Sequence, residues 1–184
     1  MRKLIYAINL TIDGCCDHTK VNGSDDILEY FAALLQDAGV LLYGRITYQL
    51  MVPFWPDIAK NQSGQTKAVN EFARTFDTVG QIVVVSQSLD SVEKNARIVR
   101  GNLKEDILQL KQEPGKNIFT GGVDLPRQLI ALGLVDEYYF VVHPILVGEG
   151  RRLDLQERLP LKLVESTTLP NGCVALHLIP GVSG

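Results

Sequence analysis

Asn117-Ile118-Phe119-Thr120-Gly121-Gly122-Val123-Asp124-Leu125 decides the fold, and Leu41-Leu42-Tyr43-Gly44-Arg45-Ile46-Thr47-Tyr48 repeats its pattern. In each stretch an apolar, strand-like run meets glycine and passes into a helical pattern. Glycine lets a backbone come close to a ligand, and the free N–H groups of a helix start favour anions. Two such turns in 184 residues point to a ligand with several phosphates, such as a dinucleotide. Neither turn is the Gly-x-Gly-x-x-Gly fingerprint, so this is not an ordinary Rossmann site.

Outward from these turns, strands and helices alternate. Residues 3–11 read as a strand and 13–25 as a loop rich in Gly, Asp and Asn. Ser24-Asp25-Asp26 starts a helix, its acidic residues suited to the positive helix end. Ile27, Tyr30, Phe31, Leu34 and Leu35 follow at helical spacing, and Gly39 is expected to end that helix. Residues 40–43 are short and continuously apolar, as in a buried parallel sheet, and 81–85 read as another buried strand. Residues 97–99 and 116–119 read as two more strands. Further helices are expected over 45–51 (stopped by Pro53), 66–76, 103–111 and 125–132. Phe54-Trp55-Pro56 reads as an aromatic loop and 61–64 as a polar one. After a strand at 137–143, residues 161–167 and 173–179 flank Pro170-Asn171-Gly172, and Asn-Gly is the strongest short hairpin signal. The order implies an α/β fold: three layers around a mainly parallel sheet, with a C-terminal antiparallel hairpin at its edge. No repeat or linker divides the chain, so residues 1–184 are read as one domain.

Composition narrows the function. The chain is 46% apolar with a net charge of −3. It has no basic run or basic–aromatic stripe, which argues against a nucleic-acid partner. Arg2-Lys3 before an apolar run, with Cys15 beyond, resembles a short secretion signal. Asn9 interrupts that run and Asp13 stands where a cleavage site needs small neutral residues, so a buried first strand is the better reading. No segment approaches the length of a membrane span. Cys15, Cys16 and Cys173 form no disulfide framework and point to a reducing cytoplasm. Cys15-Cys16-Asp17-His18 lacks a second ligand pair, so no metal is expected. Neither of its thiols has an obvious activating base.

The motifs in order resemble the dihydrofolate reductase superfamily, and within it the branch containing the reductase domain of bacterial riboflavin biosynthesis. The carriers are Thr11-Ile12-Asp13-Gly14, Leu42 to Tyr48, Phe54-Trp55-Pro56, Val85-Ser86-Gln87, Thr120-Gly121-Gly122, Gly133-Leu134-Val135-Asp136-Glu137 and His143 to Gly150. The resemblance implies a sheet of about eight strands, a dinucleotide cofactor and a homodimer. It implies that Gly44, Arg45 and Thr47 meet the pyrophosphate and the adenosine ribose phosphate. Ser86 and Gln87 match the strand end lining the adenosine 2′-phosphate. Thr120, Gly121, Gly122, Val123 and Asp124 match the second phosphate turn. Arg45 near Ser86 favours NADPH over NADH. Asp124 departs from the pattern, since dihydrofolate reductases often carry a basic residue there.

The substrate side is thinner. Asp25 and Asp26 stand where these enzymes grip a ring with a carboxylate at the first helix, and either would serve, with Asp26 the candidate, although acidic residues at a helix start are also ordinary capping chemistry. Asp13 follows the first strand and is the candidate acid, provided a closed apolar pocket raises its pKa; an Asp before Gly is equally a turn device. His143 is a further conceivable acid, more often structural before proline. Tyr48 and Trp55 are candidates for the substrate wall and also suit a core. The leading expectation is a cytoplasmic, NADPH-dependent reductase of a small heterocycle or related C=N or C=O group. The alternative is a dinucleotide-binding or assembly protein of the same fold without turnover.

Overall fold

The computed structural model describes residues 1–93 and 95–181. The alternation of apolar runs and helical stripes becomes β1 (Leu4–Thr11), α1 (Asp25–Leu35), β2 (Ala38–Gly44), α2 (Arg45–Met51), α3 (Phe54–Asn61), α4 (Lys67–Asp77), β3 (Gln81–Val85) and β4 (Ala96–Val99). It continues with α5 (Leu103–Gln112), β5 (Asn117–Thr120), α6 (Asp124–Ala131), β6 (Glu137–His143), β7 (Leu161–Thr168) and β8 (Val174–Pro180). One eight-stranded sheet runs β4-β3-β2-β5-β1-β6-β8-β7. Its first six strands are parallel, β8 is antiparallel to β6, and β7 to β8.

The layers follow from the crossovers. Strand-to-strand connections in a parallel sheet are right-handed, so those moving in opposite directions put their helices on opposite faces. Two cores result, sorted by the two-residue period of the strands. Leu41, Val84 and Phe119 pack with Phe72 and Phe76 of α4. Their neighbours Leu42, Val83 and Ile118 pack with Ile107 and Leu110 of α5 and Leu129 of α6. Helix α4 is held at its start by Thr66, whose hydroxyl accepts from Val69 N at 3.2 Å, a cap worth about 1 kcal/mol.

Two local expectations are corrected. Phe54-Trp55-Pro56 is the first turn of α3, where proline's missing N–H leaves no helical bond unmade. Gly39 lies inside β2 instead of ending α1. A Cβ there would stand 2.8 Å from the Arg2 guanidinium and 3.0 Å from Lys116 O, so the bare backbone is what this crowded strand start requires.

The shortness of β5 shapes the functional end of the sheet. It pairs with β1 only from Leu4 to Tyr6, whereas β6 pairs with β1 from Ile5 to Thr11. Beyond Tyr6, one edge of a central strand is therefore left open. The chain leaves β5 on the α6 face and leaves β1 and β2 on the α1–α4 face, so this opening is a topological switch point, the usual crevice for ligands in α/β sheets. Among the described residues, no helix is long and apolar enough to cross a membrane.

Candidate functional site

The two glycine turns meet. Gly122 has φ +83° and an added Cβ would overlap Thr47 Oγ1, so the start of α2 lies directly on the turn that follows β5. The phenol of Tyr6 donates to Gly122 O at 2.9 Å and fixes the turn from below. Gly121 brings its backbone to β1: a Cβ there would stand 3.5 Å from Ala7 O. Gly44 is conformationally ordinary at φ −75°. Thr120, the last residue of β5, is buried, and its hydroxyl has no hydrogen-bond partner among the described residues. A buried hydroxyl left unpaired costs about 1–3 kcal/mol.

The open edge of β1 lies beside this turn. Ile118 N donates to Lys3 O and Asp136 N to Leu4 O. Odd residues of β1 thus turn their main-chain groups toward β5, and Ala7 and Asn9 present theirs where β5 has ended. The Asn9 side chain holds His143 Nε2 at 3.0 Å. His143 is buried, and desolvation lowers its pKa, so the ring is neutral at neutral pH.

A second group forms at the ends of β2, β3 and β4. Gly44 is in register with Val85, and Val85 with Val99. Arg45, Ser86 and Arg100 therefore follow three neighbouring strand ends, with the two arginines about 10 Å apart by strand spacing. Ser86 Oγ accepts from Ser88 N (3.2 Å) and Leu89 N (3.0 Å), capping the turn. Gln87 Nε2 donates to Arg100 O at 3.0 Å. The Arg100 guanidinium donates to Ser86 O at 3.0 Å and also to Leu89 O. Arg45 makes a 3.3 Å bond to Gln49 Oε1. Neither arginine has a carboxylate partner among the described residues. Arg100 was not among the sequence candidates. The signal was present: like Arg45, it stands one residue past an apolar strand.

Asp13 does not meet the condition attached to it as an acid. Its carboxylate accepts from Thr11 Oγ1 (2.6 Å), Gly148 N (2.8 Å) and Val147 N (3.3 Å), and pairs with Arg152 at 3.3 Å. The Thr11 hydroxyl first, then the Gly148 amide, hold its pKa down at about 2. It is an ionised anchor that ties the 144–152 loop to the end of β1. Val123 and Asp124 open α6, and the Asp124 carboxylate pairs with Arg151 of that same loop.

The substrate-wall candidates are dispersed. Thr47 and Tyr48 are successive helical residues about 100° apart, so one reaches Gly122 while the other enters the core. The Tyr48 hydroxyl accepts from Glu93 N at 2.9 Å. Trp55 packs edge-on against Phe72 at 4.5 Å and lines a groove of about 780 Å³ with Leu50, Pro53, Ile58 and Val69. Asp26 is half-buried on the first turn of α1; the Cys173 thiol is raised chiefly by burial, with a smaller contribution from the Asp26 charge. Burial pushes the Cys16 thiol up to about 11, which leaves it unreactive. Among the described residues, no three His, Cys, Asp or Glu side chains converge to hold a metal.

A model of the RibD C-terminal domain matches residues 2–175. The uncharacterized protein YyaP of Bacillus subtilis (strain 168) is 31% identical over 183 residues, spanning 95% of this chain and 93% of that protein. A pyrimidine reductase-like protein of Corynebacterium diphtheriae shares the fold at TM-score 0.67 and 14% identity, over 99% of this chain and 93% of the other. Dihydrofolate reductase of Enterococcus faecalis, solved with NADP(H), does so at TM-score 0.62 and 13% identity, over 98% and 97%.

Proposed function

The chain belongs to the RibD C-terminal domain family, and from that premise we propose that it is an NADPH-dependent reductase of a small heterocycle or a related C=N or C=O group. The observation that carries the reading is the contact of the two glycine turns, Gly122 against Thr47, beside the open edge of β1. The residues there fit a dinucleotide. A Cβ at Gly122 would strike Thr47 Oγ1, so glycine is what lets the two turns close on each other, and Thr120, two positions earlier, carries a hydroxyl with no partner among the described residues.

NADPH supplies the hydride; the protein's part is orientation and exclusion of water. Gly121, Gly122, Val123 and Thr47 hold the pyrophosphate. The carbonyl of Ala7 and the main chain of Asn9, beyond the end of β5, would offer hydrogen bonds to the polar part of the nicotinamide. Arg45 and Arg100, flanking Ser86 and Gln87, take the 2′-phosphate that distinguishes NADPH from NADH. The neutral His143–Asn9 pair borders the opening and lets it be occupied without a buried charge.

A second reading, a dinucleotide-binding protein without turnover, is favoured by Asp13, whose carboxylate is ionised and fully used in holding a loop. Calorimetric titration tests the cofactor assignment. Arg45→Ala and Arg100→Ala should each weaken NADPH about 10- to 100-fold, as expected for loss of a charge-assisted hydrogen bond of about 1.5–3 kcal/mol. NADH binding should not change. Equal loss for both nucleotides, or no loss, would overturn it. Oxidation of NADPH across a panel of heterocycles then separates the reductase from the binding protein.

A further inference from the structure

Asp124 presents a difficulty for the cofactor site. It stands two residues beyond Gly122, in the first turn of α6, where a bound phosphate would lie close to a carboxylate. Like charges at that distance oppose binding. The structure offers a compensating cation from a distant part of the chain. Arg151 of the loop after β6 pairs with Asp124, at the start of the helix that follows the second glycine turn.

Arg151 is held there from two directions. Its carbonyl accepts from Cys16 N at 2.7 Å. Its loop is pinned to the end of β1 by the Asp13 bonds to Val147, Gly148 and Arg152 and to residue 20 by the Lys20–Glu149 pair at 3.1 Å. The backbone is thus fixed while the guanidinium and its partner are each about half exposed, 48% and 50%. An ion pair so exposed contributes only about 0–1 kcal/mol, so the guanidinium exchanges partners at little cost. A pyrophosphate beside Gly121 and Gly122 offers it a stronger, bidentate partner.

We propose that Arg151 is the pyrophosphate-binding cation of the second glycine turn, kept in place by Asp124 until the dinucleotide arrives. This rests on the cofactor reading above and adds a residue from outside both turns. It accounts for the acidic residue at position 124: the positive charge comes from the 144–152 loop instead. It also makes that loop part of the cofactor site, since Arg151 is the group that would touch the ligand.

The pattern of losses separates this role from that of Arg45 and Arg100. The pyrophosphate is common to both nucleotides, so Arg151→Gln should weaken NADPH and NADH by the same factor, about 10-fold or more in calorimetry. It should also lower the salt dependence of the dissociation constant. Asp124→Asn should tighten both nucleotides severalfold by freeing Arg151 from its competitor, and should lose that gain when combined with Arg151→Gln. Circular dichroism melting of each variant controls for folding. Wild-type binding of NADPH with unchanged affinity in Arg151→Gln overturns this proposal and leaves the cofactor reading standing. Failure of the wild type to bind either nucleotide overturns both.

Discussion

Gly122→Ala tests the contact between the two turns, and its cost can be worked from the structure. Gly122 sits at φ +83°, and the left-handed region costs an L-residue about 1–2 kcal/mol. The added methyl also overlaps Thr47 Oγ1 and stands 3.4 Å from Thr47 Cβ. Thr47 must then leave its rotamer, at about 0.5–1.5 kcal/mol. The sum, about 1.5–3.5 kcal/mol, is smaller than the roughly 5–15 kcal/mol that holds a typical domain, so the variant folds. Each kcal/mol lowers Tm by about 2–4 °C in a chain of this size, which gives a fall of about 3–14 °C. In a Thr47→Ala background the overlap with Oγ1 is gone and only the backbone part remains, so the fall should be about 60% as large. The methyl also pushes Thr47 off the turn, and NADPH should bind at least about tenfold more weakly, or about 1.4 kcal/mol. Thermal denaturation by circular dichroism measures the first quantity and calorimetry the second. An equal fall in Tm in both backgrounds would refute the close approach of α2 to the turn. No fall in either would refute the left-handed turn itself.

Two further predictions concern pH. Asp13 is held at about 2 in the folded protein, below its ordinary value near 3.9. Its contribution to stability is therefore complete above about pH 4 and is lost as the pH falls toward 2. Asp13→Asn should lower the urea midpoint at pH 7 and flatten its decline between pH 4 and 2; parallel declines in the two proteins would remove the carboxylate as the loop's anchor. Burial lowers the pKa of His143 below about 6.5, so the unfolded chain binds the extra proton more readily and stability falls as the pH drops through 6.5. His143→Gln should remove that part of the loss between pH 7.5 and 5. An NMR titration of the His143 ring with a midpoint above 6.5 would contradict the argument.

The elements read correctly from the sequence are those decided by local rules. Apolar runs of four to five residues, helical stripes such as Phe72 and Phe76, and Asn171-Gly172 carry their conformation with them. Where a local rule misled, a neighbour had intervened. Gly39 reads as a helix stop, but it serves a strand because Arg2 and Lys116 crowd it. Phe54-Trp55-Pro56 reads as a loop, yet Trp55 turns helical against Phe72. The site divides in the same way. The two glycine turns are visible as patterns of adjacent residues. The fates of Asp13 and Tyr48 are not, because each depends on a partner far along the chain: 134 residues away for Asp13 and Val147, 45 for Tyr48 and Glu93.

The sequence by itself determined the order of strands and helices, the parallel sheet with its antiparallel hairpin, and the two turns suited to phosphate. Periodicity, capping and turn chemistry act within a few residues, and those are written in the chain. The tertiary structure alone decided that β5 stops short and opens the edge of β1, that Thr47 closes on Gly122, that Arg100 reaches Ser86 and that Arg151 reaches Asp124. It also turned Asp13 from a candidate acid into an anchor. Strand pairing and the surroundings of a charge are set by contacts between distant segments, and no local period encodes them.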